Sequence, residues 1–253
     1  MKKLLKNLTE IFGPSGYEDA IRKLVAAEVR PLADEVKVDA LGNLIARKKP
    51  NKASKDAKKI MIAAHMDEIG IIVSHIDANG FLRFSAVGGT FPRHLPGGRV
   101  RFLNGTVGVI CPEAALEKVD QTPPMDKMYI DVGATSKKDC PVKVGDVAAF
   151  ERPFVENGNR LIAKSMDDRA GVLIAIETLR ALKSTPHDVY FTFTTQEEVG
   201  TRGAATAAYG IDPDIGIAVD VTLAADTPNG AKMEVSLGKG PAIKIREDRK
   251  SVV

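Results

Sequence analysis

Val189-Tyr190-Phe191-Thr192-Phe193-Thr194 drives straight into Thr195-Gln196-Glu197-Glu198-Val199-Gly200. The β-branched and aromatic residues of the first segment predict a strand. Neighbouring side chains on a strand point to opposite faces, and this period breaks where the strand becomes a loop. Glu197 and Glu198 can therefore aim at different targets. One reading gives one of them a metal and the other a proton; the plainer reading is a solvated acidic pair at a strand end.

The same pattern recurs along the chain. Lys59-Ile60-Met61-Ile62-Ala63-Ala64, a continuous apolar run of the kind buried on both faces, ends in His65-Met66-Asp67-Glu68-Ile69-Gly70. Ile215-Gly216-Ile217-Ala218-Val219 ends at Asp220, and Met166-Asp167-Asp168-Arg169 opens a helix over 172–182. Strand–helix–strand spacing predicts a parallel sheet with helices on its faces, where ligands gather outside the carboxyl ends of the strands. Each residue has a structural role to fall back on. His65 suits a core histidine, Asp167-Asp168 a helix N-terminus, and Asp220 a turn. Four junctions delivering acids and a histidine to one edge argue for more. That many carboxylates would repel one another. A mixed His/Asp/Glu set suits zinc, cobalt or manganese, and two ions about 3.5–4 Å apart could share a bridging carboxylate and a water.

Elsewhere the punctuation is clear. Leu4, Leu5, Leu8, Ile11 and Phe12 predict a short amphipathic helix. Ser15-Gly16-Tyr17-Glu18 has the form of a capping box that starts a second helix through about Val29. Val36–Asp39 and Leu41–Ala46 flank a Gly42-Asn43 turn. Between 71 and 160 the texture changes to short β segments (71–73, 81–84, 100–102, 106–110 and 128–130) separated by Gly, Pro and Asn turns, which predicts a small β-barrel or sandwich inserted into the α/β portion. A small-residue helix from Arg202 to Tyr209 is expected to stop at Gly210.

With 253 residues, 44% apolar and 27% charged, the chain has the composition of an ordinary globular protein. A net charge of +3 with scattered lysines gives no case for nucleic acid. No run has the length of a signal-peptide core or a membrane helix. Two cysteines, Cys111 and Cys140, fit a reducing compartment better than a disulfide framework. The expectation is a cytoplasmic protein.

Taken in order, His65–Gly70, Met166–Arg169, Gln196–Gly200 and Val219-Asp220-Val221-Thr222 resemble the motifs of the tetrahedral aminopeptidases, the glutamyl and deblocking enzymes with co-catalytic metals, some of them labelled cellulases. The resemblance runs from residue 1 to about 246. It implies a catalytic zinc-peptidase-like α/β domain of mostly parallel sheet (1–70 and 161–247). It also implies a β domain used for dimerisation (71–160), with dimers assembling into tetrahedral dodecamers. Peptides would be the substrates. Carried over by position, Asp167 bridges two metals, His65 and Asp220 complete one site, and Glu198 binds the other. Glu197 is the general base for the bridging water, Asp67 orients His65, and Asp168 stands behind; the division between Asp167 and Asp168 stays open.

The resemblance calls for one more histidine after Asp220. The four histidines are His65, His75, His94 and His187, so the Glu198 site is a ligand short. The chain also stops short of the family's usual length, and Asp248–Val253 departs from its pattern as adapter-encoded sequence would. The expectation is a truncated reading frame with a non-native tail (248–253), an uncovered sheet edge and impaired activity. Rival readings are a related two-metal amidase or carboxypeptidase, or a non-catalytic assembly module. The cellulase label gains nothing from a chain without tryptophan whose acids converge on a histidine rather than flanking a sugar.

Overall fold

The structure, a computed structural model, describes residues 1–52, 55–113, 122–230 and 232–244. The reading of 248–253 as a non-native tail lies outside these residues. Two helices lead, α1 (Lys2–Glu10) and α2 (Asp19–Val29). Leu5 and Leu8 of α1 and Ile21, Val25 and Val29 of α2 are buried, so three- and four-residue spacing turns one apolar stripe of each helix inward. The capping-box expectation is corrected. Helix α2 begins at Asp19, with Glu18 as its N-cap and no side-chain cap. Ser15 Oγ donates instead to Asp67 at 2.6 Å, a charge-assisted hydrogen bond to a buried carboxylate.

Strands β1 (Glu35–Val38), β2 (Leu44–Lys48) and β3 (Lys59–His65) follow. The chain then builds a closed barrel from β4 (Gly70–Ile76), β5 (Leu82–Val87), β6 (Arg99–Phe102), β7 (Val107–Pro112), β8 (Met128–Asp131) and β9 (Val147–Phe150), in the order β4-β5-β8-β7-β6-β9. Strand β9, an all-buried Val-Ala-Ala-Phe run, is the stave that closes it between β4 and β6. Along β6 exposed and buried residues alternate, the period-2 signature of a wall with one dry side. Ile71, Leu82, Val100, Phe102, Ile110 and Ile130 fill the interior.

A short hairpin, β10 (Val155–Asn157) and β11 (Arg160–Ile162), returns the chain to α3 (Met166–Ala181), β12 (Asp188–Thr194), α4 (Arg202–Ile211) and β13 (Ile215–Ala218). Gly210 lies within α4, which ends at Asp212 in the left-handed conformation. The open sheet runs β1-β2-β12-β3-β13. It is parallel across β12, β3 and β13 and antiparallel toward β1. Helices α1, α2 and α3 cover one face over Leu44, Ala64, Phe191 and Phe193, and α4 covers part of the other through Ala207 and Ile211. Burying each of Phe191 and Phe193 contributes roughly 1.5–3 kcal/mol. All four residues of β13 are exposed. Among the described residues no helix is long and apolar enough to cross a membrane.

Candidate metal centre at the carboxyl edge of the sheet

Parallel register decides what meets at this edge. Thr194 is level with His65, and Ala218 with Ala63, so β12, β3 and β13 release their next residues side by side. His65, whose side chain is 3% exposed, closes β3. Its Nδ1 lies 3.1 Å from the Asp67 carbonyl and 3.3 Å from Asp67 Oδ1, while Nε2 faces Asp167 Oδ1 at 2.9 Å and Glu197 Oε2 at 3.8 Å. Burial opposes charge on the ring, but the carboxylates of Asp167 and Asp67 outweigh it and push its pKa up to about 11.

Asp67 is fully buried and is the pivot of the edge. Besides Ser15 and His65 it accepts the backbone N–H groups of Glu197 at 3.0 Å and Glu198 at 3.1 Å. Its own desolvation is outweighed by the His65, Ser15 and backbone hydrogen bonds, so its pKa falls below the ordinary value. Gln196, just before, takes a left-handed φ of 54°, which swings the chain out of β12 and drops these two N–H groups toward Asp67. The side chains of Glu197 and Glu198 are left on the site side. From the barrel, Gly88 approaches so closely that a Cβ there would lie 2.9 Å from Glu198 Cβ.

Asp167 and Asp168 open α3 with non-helical backbone, joined by a cis peptide bond. They do different things. Asp168 is buried, with Oδ2 accepting the His65 N–H at 3.2 Å and Oδ1 the Gly171 N–H at 3.0 Å. The Asp167 side chain is 58% exposed and lies against His65 and Asp220. Burial, reinforced by Asp220, pushes Asp168 up to about 8. Burial and then Asp167, Asp67 and Glu197 push Glu198 up to about 7. Glu197 and Asp220 are also raised, first by burial and then by their acidic neighbours.

All six expected side chains thus come to one edge. Ligand atoms of His65, Asp167 and Glu198 lie within 4.8 Å of one another, and so do those of His65, Asp168 and Asp220. The donor chemistry fits divalent cations. Burial is the first cause that raises these acids and their mutual repulsion adds to it; a bound cation would neutralise that repulsion, and hydrogen-bonded carboxylates already flank the imidazole.

Sequence reasoning missed the supporting layer. Glu68 is buried; it accepts the Gly13 N–H at 3.0 Å and pairs with Lys164 Nζ at 2.5 Å and with Ser165. Arg169, fully buried, lies 3.9 Å from Glu68 and donates to the carbonyls of Leu8 and Ile11. These contacts weld α1, the His65–Gly70 turn and the start of α3. Each spans long sequence separations, so no local spacing announces it.

Residues 42–253 match the model of the M42 glutamyl aminopeptidase family. The chain belongs to that family. An M42 relative, a putative aminopeptidase of Acetivibrio thermocellus, is 49% identical over 249 residues, covering 98% of this chain and 74% of the relative. An aminopeptidase from the archaeon Desulfurococcus kamchatkensis superposes with a TM-score of 0.89 at 43% identity, covering 95% of this chain and 68% of that one. The TET1 peptidase of Pyrococcus horikoshii, described as assembling into a tetrahedron or a large octahedral shell, superposes at 0.79 with 36% identity, over 90% of this chain and 72% of that one. The M42 fold, an α/β sheet flanked by helices and joined to a closed barrel, is therefore the fold of this chain, and its relatives are aminopeptidases.

Proposed function

We propose that this chain is a metal-dependent aminopeptidase that removes N-terminal residues from peptides, in which His65 and Asp220 would hold one cation, Glu198 a second, Asp167 would be shared between them, and Glu197 would be the general base. The observation that carries it is the position of Asp167, against His65 Nε2 at 2.9 Å, grouped with Glu198 and beside Asp220. Asp168 has both oxygens committed to backbone N–H groups, which supports assigning it to holding the β3–α3 junction. Zinc, cobalt or manganese held there would polarise the scissile carbonyl and acidify a water. Glu197 would take a proton from water at this edge and give it to the leaving amine; its raised pKa suits both tasks. Asp67 fixes His65 with Nδ1 turned inward, leaving Nε2 for the site. A free substrate amine, positively charged, is drawn to the same acidic edge, which makes the enzyme an exopeptidase.

In this reading the sheet and its helices (1–70 and 161–247) are catalytic, the chain self-associates into dimers and larger shells as the TET1 peptidase does, and the barrel region (71–160) is the dimer surface. The free thiols of Cys111 and Cys140 support a cytoplasmic setting. The test is calorimetric titration with zinc, cobalt and manganese, alongside hydrolysis of aminoacyl anilides and their N-acetylated counterparts. Two binding events, and cleavage confined to free-amine substrates, are expected. Equal cleavage of blocked substrates refutes the reading in favour of a related two-metal amidase, and absence of cation binding refutes it in favour of the non-catalytic reading.

A further inference from the structure

The N-terminal turn over residues 13–18 lies under the loop that carries Glu197 and Glu198. Ser15 is buried, and its Oγ reaches Asp67 Oδ2 at 2.6 Å, the same oxygen that accepts the Glu198 N–H at 3.1 Å. Glu18 is buried too, and its Oε1 accepts the N–H of Gly16 at 2.8 Å and that of Gln196 at 3.1 Å. Three consecutive N–H groups, those of Gln196, Glu197 and Glu198, therefore end on two carboxylates fixed from the N-terminal turn and the β3 turn. The turn is itself anchored: Gly13 and Glu68 exchange hydrogen bonds at 3.0 Å, from the Gly13 N–H to Glu68 Oε1 and from the Glu68 N–H to the Gly13 carbonyl. Pro14 bridges Glu68, and the Tyr17 N–H meets the Pro14 carbonyl at 2.8 Å.

We infer that Ser15 and Glu18 are positioning residues for the catalytic loop: Glu18 holds Gln196 in its left-handed turn, and Ser15 locks the Asp67 carboxylate that holds Glu197 and Glu198. The physical reason is that a left-handed conformation at a residue other than glycine persists only where its surroundings over-determine it. A charge-assisted hydrogen bond from its N–H is such a determinant. Without the brace the loop relaxes, and the two glutamate side chains no longer hold their distances to His65.

The inference rests on the proposed roles of Glu197 and Glu198, so its test reads backbone and cation separately. Native-state hydrogen exchange resolved at residues 194–201 is measured in the 253-residue chain and in Ser15→Ala, Ser15→Thr and Glu18→Gln. Exchange is expected to rise at least tenfold at Glu197 and Glu198 in Ser15→Ala and at Gln196 in Glu18→Gln, with β4 and β9 unchanged. Ser15→Thr, which keeps the hydroxyl, restores protection. Zinc affinity is expected to fall at least tenfold in Ser15→Ala and to recover in Ser15→Thr. Unchanged loop exchange, or a uniform rise that includes β4 and β9, overturns the inference. If the unsubstituted chain binds no cation, the metal reading fails while the exchange comparison still decides the brace.

Discussion

Two adjacent glutamates differ here because of what surrounds them. Glu198 lies against the barrel at Gly88 and is pushed up to about 7 by burial and acidic neighbours. Glu197 sits 3.8 Å from His65 Nε2 and is raised first by burial and then by Asp220, Asp67 and Asp167. The assigned roles separate under substitution. Glu197→Gln keeps the shape and removes the base; whatever anilide hydrolysis the unsubstituted chain shows is expected to drop by about 10²–10⁴. Cation affinity changes little. Glu198→Gln is expected to lose a binding event instead. Steady-state rates paired with calorimetry check both, and an active Glu197→Gln chain would point to a different base. This level was partly legible in the chain itself. An acid pair after a β-rich run implies divergent targets, but nothing within Gln196–Gly200 reveals that Asp67 grips the backbone beneath it.

At the scale of elements, the first turn of α3 is built by a close approach. A Cβ at Gly171 would lie 2.3 Å from Asp168 Oδ1. Alanine raises intrinsic helix propensity by about 1 kcal/mol over glycine. The overlap would expel a buried carboxylate from the N–H groups of His65 and Gly171, and overpacking with lost buried hydrogen bonds costs more than that gain. Gly171→Ala is therefore expected to destabilise the fold by roughly 1–3 kcal/mol, read from the urea midpoint; an unchanged or higher midpoint would show that the approach is not tight.

The β2–β12 pair carries an acid-sensitive contact. Arg47 Nε and Nη2 donate to Asp188 at 2.8 and 2.7 Å, and Tyr190 adds its hydroxyl at 2.8 Å. The Arg47 hydrogen bond is the main cause holding the Asp188 pKa below its ordinary value, against a smaller desolvation effect. Its stabilisation is fully present above the unfolded carboxylate pKa, about 3.9, and is lost as pH falls through the lower folded value. Asp188→Asn should lower stability at neutral pH and flatten the decline below about pH 4. Chemical denaturation across pH tests this, and parallel curves for the two chains would contradict it. The antiparallel hairpin was readable from Gly42-Asn43, whereas the Arg47–Asp188 pair awaited the register of β2 on β12.

Across the whole molecule, the sheet is unevenly covered. Helices seal its middle, but among the described residues β13 is an outer strand, and its Ile215 and Ile217 are each 46% exposed. An open strand edge with apolar flanks is a template for pairing with another chain. Ile217→Lys is expected to slow concentration-dependent association, followed by light scattering, without altering the circular dichroism of the fold. Association unchanged by the substitution would locate it elsewhere, the barrel surface being the alternative.

What the sequence by itself determined was the set of elements and the edge at which chemistry collects. Periodicity settles which side of each strand and helix is dry, and acids and a histidine after β3, β12 and β13 are forced together once those strands run parallel. Only the tertiary structure decided partners. It sent Ser15 to Asp67 across 52 positions and His65 to Asp168 across 103, closed the barrel with β9, and left Asp167 exposed against His65 with Asp168 buried. The reason is physical. Local pattern fixes burial, because burial follows the 3.6- or 2-residue period. A buried carboxylate's partner is whichever donor the packed chain brings within 3 Å or so, and that is a property of the assembled layers.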